Sequence, residues 1–224
     1  MSASPDSFSL RSTVKVTFGE DFLSAEEAEG TVDTAELGLL LSTLVRSCQT
    51  CGESLEAGAL QNLFAWEPGR ALSLSSTPSG FDYQAWEGVT GWEDFDDVPW
   101  REVLASDSLL DVRRPEVLDR LCELPGVAWA GIRDFESSQW EECCCTTSLE
   151  SMQLLQASRL VLQLDTLLKG HGCPRGRLRL SYERASLWAW SNTTDDYLMA
   201  LTDRDLPLVS RGALLRIGEA FMLF

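Results

Sequence analysis

The sequence predicts a mixed α/β (α+β) fold: a five-stranded antiparallel sheet with a long helix across one face, preceded by a smaller acidic α+β unit. Three observations carry that expectation. From Arg114 onward the apolar residues alternate between a period of two and a period near 3.6, in the order α-β-β-α-β-β-β-α. The charge divides unevenly, with 20 Asp/Glu and 5 Lys/Arg in residues 1–112 against 15 and 13 in residues 113–224. With 44% hydrophobic residues, 8 Trp and 9 Phe, the 224-residue chain can build a core for one large domain or two small ones. Units of 1–112 and 113–224 are expected, with the acidic, proline-ended stretch Asp94–Pro99 at the edge of the first.

Within the first unit, Ser9–Phe18 alternates as a short strand, with Val14, Val16 and Phe18 on one face. The acidic stretch Glu20–Glu29 reads as a loop or exposed turn. Leu37, Leu40, Leu41, Leu44 and Val45 recur at helical spacing, which predicts an amphipathic helix over Thr34–Ser47, stopped by Gly52. Ala59–Trp66 and Arg70–Ser75 are short apolar runs joined through Pro68-Gly69, a β-hairpin signal. Phe81–Phe95, with Trp86 and Trp92 among acids, is expected to be helix and turn.

In the second unit, Val117, Leu118, Leu121 and Cys122 after Pro115 make a short helix that Leu124-Pro125-Gly126 breaks. Val127–Ile132 and Gln139–Thr146 are the next strands, the latter holding Cys143, Cys144 and Cys145. Leu149–Gly170 is a long helix, apolar on more than one side. Arg177–Tyr182, Ala185–Trp190 and Tyr197–Leu201 come next as strands, and Pro207 opens a final helix to Phe221.

A net charge of −17 disfavours a nucleic-acid partner, which needs clustered Lys and Arg. Met1–Phe8 has no basic leader and no apolar run is long enough to span a bilayer, so a cytoplasmic chain without membrane insertion is expected. The seven cysteines are expected to be reduced and mostly buried.

The element order, together with Leu121-Cys122-Glu123-Leu124-Pro125-Gly126-Val127 at the first helix–strand junction, resembles the roadblock/LC7 family. Gly170-His171-Gly172 and Tyr182-Glu183 also fall at positions similar to that family's. Asp134-Phe135-Glu136-Ser137 departs from it, standing where the family's first hairpin has a glycine-rich turn. The resemblance implies a platform in which the long helix and neighbouring strand pair between two subunits to make a continuous sheet, as a homo- or heterodimer. The alternative is that this helix packs against the first unit of the same chain. The resemblance further implies an adaptor or regulator that binds a small Ras-like GTPase or scaffolds a signalling complex. In the first unit, Gly30-x-Val32, the leucine-rich helix and Leu63–Ala71 resemble PATAN-type domains of bacterial signalling proteins.

Residue chemistry offers little catalysis. Cys48-x-x-Cys51 has the spacing of a thiol redox pair or half a metal site, but it is expected at a helix end, where the dipole does not favour a thiolate. One thiol packing inward and one capping the turn is the simpler reading. His171 is the only histidine, between two glycines, and no phosphate-binding glycine loop is present. No cofactor, metal or catalytic residue is therefore assigned. Arg175, Arg177, Arg179 and Arg184, with Trp188 and Trp190, form the candidate partner-binding set, the arginines of one strand sharing a face. A solvated face is the plainer account of the same residues. Leu155 and Leu162 are the candidate dimer contacts. A thiol enzyme at Cys48/Cys51 and a purely structural dimeric subunit are the alternative functions.

Overall fold

The computed structural model describes residues 9–18, 23–29, 34–88, 116–134, 140–144, 149–174, 176–192 and 194–223, and for 9–37, 142–144 and 151 the backbone alone. The expected boundary at 112/113 lies outside the described residues, as do Asp94–Pro99, Trp92 and Cys145. The strands are β1 (Ser9–Phe18), β2 (Leu23–Glu29), β3 (Leu60–Glu67), β4 (Arg70–Thr77), β5 (Gly80–Glu87), β6 (Val127–Arg133), β7 (Trp140–Cys144), β8 (Arg177–Tyr182), β9 (Ala185–Ser191) and β10 (Tyr197–Asp203). The helices are α1 (Thr34–Ser54), α2 (Val117–Cys122), α3 (Ser151–Gly170) and α4 (Leu208–Phe221).

The α+β class is as the sequence predicts, but the sheet is twice as wide. Its described strands form one antiparallel sheet of ten, in the order β2-β1-β5-β4-β3-β8-β9-β10-β6-β7. Each half runs strand, strand, helix, three strands, and each has the same internal order; they meet edge to edge where β3 pairs with β8. Of the two expectations for the long helix, the structure shows α3 packed against α1 of the first unit.

Alternation along the central strands divides the core in two. Leu63, Ala65, Leu72, Leu74, Leu178, Leu180 and Leu187 bury against α1 and α3 on one side. Phe64, Trp66, Trp188, Trp190 and Leu198 bury on the other with Val117 and Leu121 of α2 and Leu214, Ile217 and Phe221 of α4. The apolar excess of α3 is explained by its two neighbours, sheet below and α1 beside. The two helices run antiparallel: Cys51 meets Ala157 and Glu56 meets Gln153.

Three expectations in the first unit are corrected. The acidic stretch contains a strand, β2, which among the described strands pairs with β1 alone, at the sheet's rim, where charged residues are common. Phe81–Glu87 is strand, not helix: Phe81 and Tyr83 bury toward α1 while Asp82 and Gln84 alternate with them. And α1 continues through Gly52 to Ser54. Gly52 is there because the Tyr182 ring presses on it; a Cβ would lie 2.6 Å from Tyr182 Cε1 and 2.9 Å from the Gly58 carbonyl. The chain turns instead at Glu56 and Gly58, both in left-handed conformation. The Leu124-Pro125-Gly126 break does form as expected: Gly126 adopts φ 87° and its carbonyl accepts from the Asp203 amide at 2.8 Å.

Candidate functional site

The seam between the halves gathers most of the residues that carry chemistry. β3 and β4 turn through Pro68-Gly69, β8 and β9 through Glu183-Arg184, so Glu67 and Tyr182 hold the same place in their hairpins. Counting back equally from each gives Phe64 and Arg179, and these two are paired directly across the seam. The remaining pairs step outward symmetrically, Leu63 with Leu180 and Ala65 with Leu178, then Asn62 with Ser181 and Trp66 with Arg177. A local two-fold axis therefore passes through the Phe64–Arg179 pair.

The axis relates backbones but not side chains. Arg177 lays its guanidinium 4.0 Å from the Trp66 ring centre and donates from Nε and Nη2 to the Glu219 carboxylate of α4, at 2.6 and 2.5 Å. Arg179 sits 5.2 Å from the Trp188 ring centre and 6.0 Å from that of Phe64. Trp188 and Trp190 stack with ring centres 6.2 Å apart, and Gly218 lets α4 rest directly on Trp190. The seam is thus a mixed ladder of cations and aromatics that ties β3, β8, β9 and α4 together.

On the helix side, Tyr182 donates from its hydroxyl to the Cys48 carbonyl at 2.8 Å. Cys48 and Cys51 are both fully buried, so the expectation of one thiol capping a turn is replaced: the helix runs on past them. Burial pushes Cys48 well up from its ordinary range, and Cys51 up to about 12, opposed slightly by a Tyr182 hydrogen bond. Desolvation likewise raises Cys173, against the lowering effect of Arg70. These are the properties of core thiols, the opposite of what a nucleophilic thiolate needs.

Each hairpin turn also reaches the other half. The Glu183 and Arg184 amides donate to the Ala59 and Ala57 carbonyls at 3.1 and 3.0 Å, and Arg70 donates to the Gly172 carbonyl at 2.8 Å. Of the candidate partner-binding set, Arg175 lies outside the described residues. Arg177 is buried in its ion pair, and Trp188 and Trp190 are 3% and 1% exposed, so these three candidates are core residues and not a docking surface. Arg179 is half-buried and Arg184 is exposed. Leu155 and Leu162 are half-buried on α3, and Leu162 lines a shallow depression of about 350 Å³ with Gln163, Thr166 and Leu167. Sequence reasoning singled out Tyr182 and the Leu63–Ala71 run only as resemblances, gave Phe64 and Trp66 no part in a site, and missed Glu219; no sequence signal places them opposite the arginines of β8.

No family model matches the chain, and no curated protein matches it. Among solved structures the chain is similar to MglB of Myxococcus xanthus, at 16% identity and TM-score 0.39, over 48% of this chain and 89% of that one. It is also similar to the gliding protein MglB of Thermus thermophilus, at 22% and 0.34, over 50% and 96%. A third is an MglB with a tetrameric arrangement, at 22% and 0.33, over 50% and 96%.

Proposed function

We propose that this protein is a non-enzymatic adaptor or regulator, a single-chain docking platform for a protein partner. The observation that carries this is the β3–β8 seam, which sets α1 and α3 side by side over one continuous sheet, the arrangement the roadblock resemblance implies for two subunits. The outward side of this helix pair is weakly charged for so acidic a chain. Its described charged residues are Arg46, Glu53, Arg159 and Lys169, with Leu39 and Met152 exposed at 70% and 67% at opposite ends. Half-buried Leu155, Leu160, Leu162 and Leu167 add apolar area between them. Such a face suits a protein surface better than a small substrate. Among the described helices none is long and apolar enough to cross a membrane.

The finer reading, from the same resemblance, is that the partner is a small Ras-like GTPase, with Arg184 as an exposed basic contact beside the platform. The test is capture of a panel of such GTPases from the source organism on the immobilised chain, each loaded with GDP or a non-hydrolysable GTP analogue. Binding of one nucleotide state, weakened about tenfold or more by Leu39→Asp or Met152→Asp, supports the reading. If neither state of any GTPase binds, the regulator reading fails and a scaffold for other proteins takes its place.

A further inference from the structure

We infer that the two halves of this chain are built to pair with each other and not with a second copy, so that the complete platform is a monomer. The residues at the seam's two-fold axis select unlike halves over like ones. The free edges needed for self-pairing are already used, since β3 is bonded to β4 and β8, and β8 to β3 and β9. Two copies would have to open this seam to exchange halves. The register fixes the contents of each exchanged pairing. First half on first half would set Phe64 against Phe64 and Trp66 against Asn62, leaving the Trp66 ring without its cation. Second half on second half would set Arg179 against its own copy and Arg177 against Ser181. Like charges directly opposite across a sheet oppose pairing. Arg179 keeps its Trp188 contact in any pairing, but only the unlike combination places a guanidinium over an aromatic ring across the seam, Arg177 on Trp66 and Arg179 near Phe64. Specificity here comes from making the wrong pairings worse as well as the right one better. A symmetric pair of identical units, by contrast, must present the same residue from both sides of the axis.

Two measurements test this on the full chain. Light scattering at dilute and at high concentration should return the one-chain mass of 24.8 kDa in both; a stable two-chain mass would overturn the inference. Exchanging the axis residues tests the selection itself. Phe64→Arg, which sets two guanidinium groups opposite each other, should lower Tm by roughly 5–10 °C. Adding Arg179→Phe to that variant restores an unlike pair in reversed order and should recover at least half of the loss. A double variant no more stable than Phe64→Arg would show that the axis pair does not choose between halves, and the inference would fall.

Discussion

At the residue scale the close packing is set by a few glycines that make room for aromatic rings. A helix interior ordinarily gains roughly 1 kcal/mol when glycine becomes alanine. Gly52 and Gly218 should reverse that sign. The Tyr182 ring and the Gly58 carbonyl block a Cβ on Gly52, and the fully buried Trp190 blocks one on Gly218. Gly218→Ala is expected to lose about 2–3 kcal/mol net, read as a lower urea midpoint. An unchanged or raised midpoint would mean that α4 does not rest on Trp190 as described. The buried thiols make a pH prediction. Cys51 is raised from 9.0 to about 12, chiefly by desolvation, and Cys48 moves the same way. Below pH 9 both the folded and unfolded chains keep these protons, so nothing is lost. Between pH 9 and 12 the unfolded chain releases them and the folded chain does not, so stability falls as pH rises. The urea midpoint should therefore drop between about pH 8 and pH 10.5. That drop should be smaller in the Cys48→Ala/Cys51→Ala variant, whatever its absolute stability.

At the element scale, α4 is bound to the central strands by Trp190 packing and by the Arg177–Glu219 ion pair. Glu219→Gln keeps the shape and removes the charge opposite a guanidinium that is only 10% exposed. Because Glu219 itself is 35% exposed and partly screened, the expected cost is roughly 1–2 kcal/mol, measured as a fall in Tm. No change in Tm would mean that water replaces the pair without loss. The elements of the second half were legible because each shows a clear period. Arg177–Tyr182 alternates strictly, Leu124-Pro125-Gly126 marks a break, and α3 carries leucine all round. Those of the first half were obscured for physical reasons. β2 lies at the rim of the described sheet beside β1, and the glutamates in its sequence read as a solvated loop. β5 does alternate, Phe81 and Tyr83 against Asp82 and Gln84, but Trp86 and the neighbouring acids suggested a helical turn. Gly52 carried a stop signal that the Tyr182 contact overrides.

At the scale of the whole molecule, the sequence conveyed a roadblock-like second half and left open whether its long helix meets another subunit or the first unit. The seam was not legible, because matching positions on either side of the axis share almost no chemistry. Phe64 answers to Arg179, Trp66 to Ser181, and Ser73 and Ser75 to Trp188 and Trp190. A repeat whose halves must recognise each other, and not themselves, hides its own symmetry in this way. The candidate partner residues fared likewise: Arg177, Trp188 and Trp190 were visible as a basic and aromatic concentration, but only their places in the sheet show them as the inner seam rather than a surface. The central claim is that β3 and β8 join two halves into one sheet, and amide hydrogen exchange of the intact chain tests it most directly. The account predicts that the β3 amides bonded to β8, and the β8 amides bonded to β3, exchange as slowly as those between β9 and β10. Exchange at those amides as fast as at the rim strand β2 would contradict it, since the seam would then be two open edges.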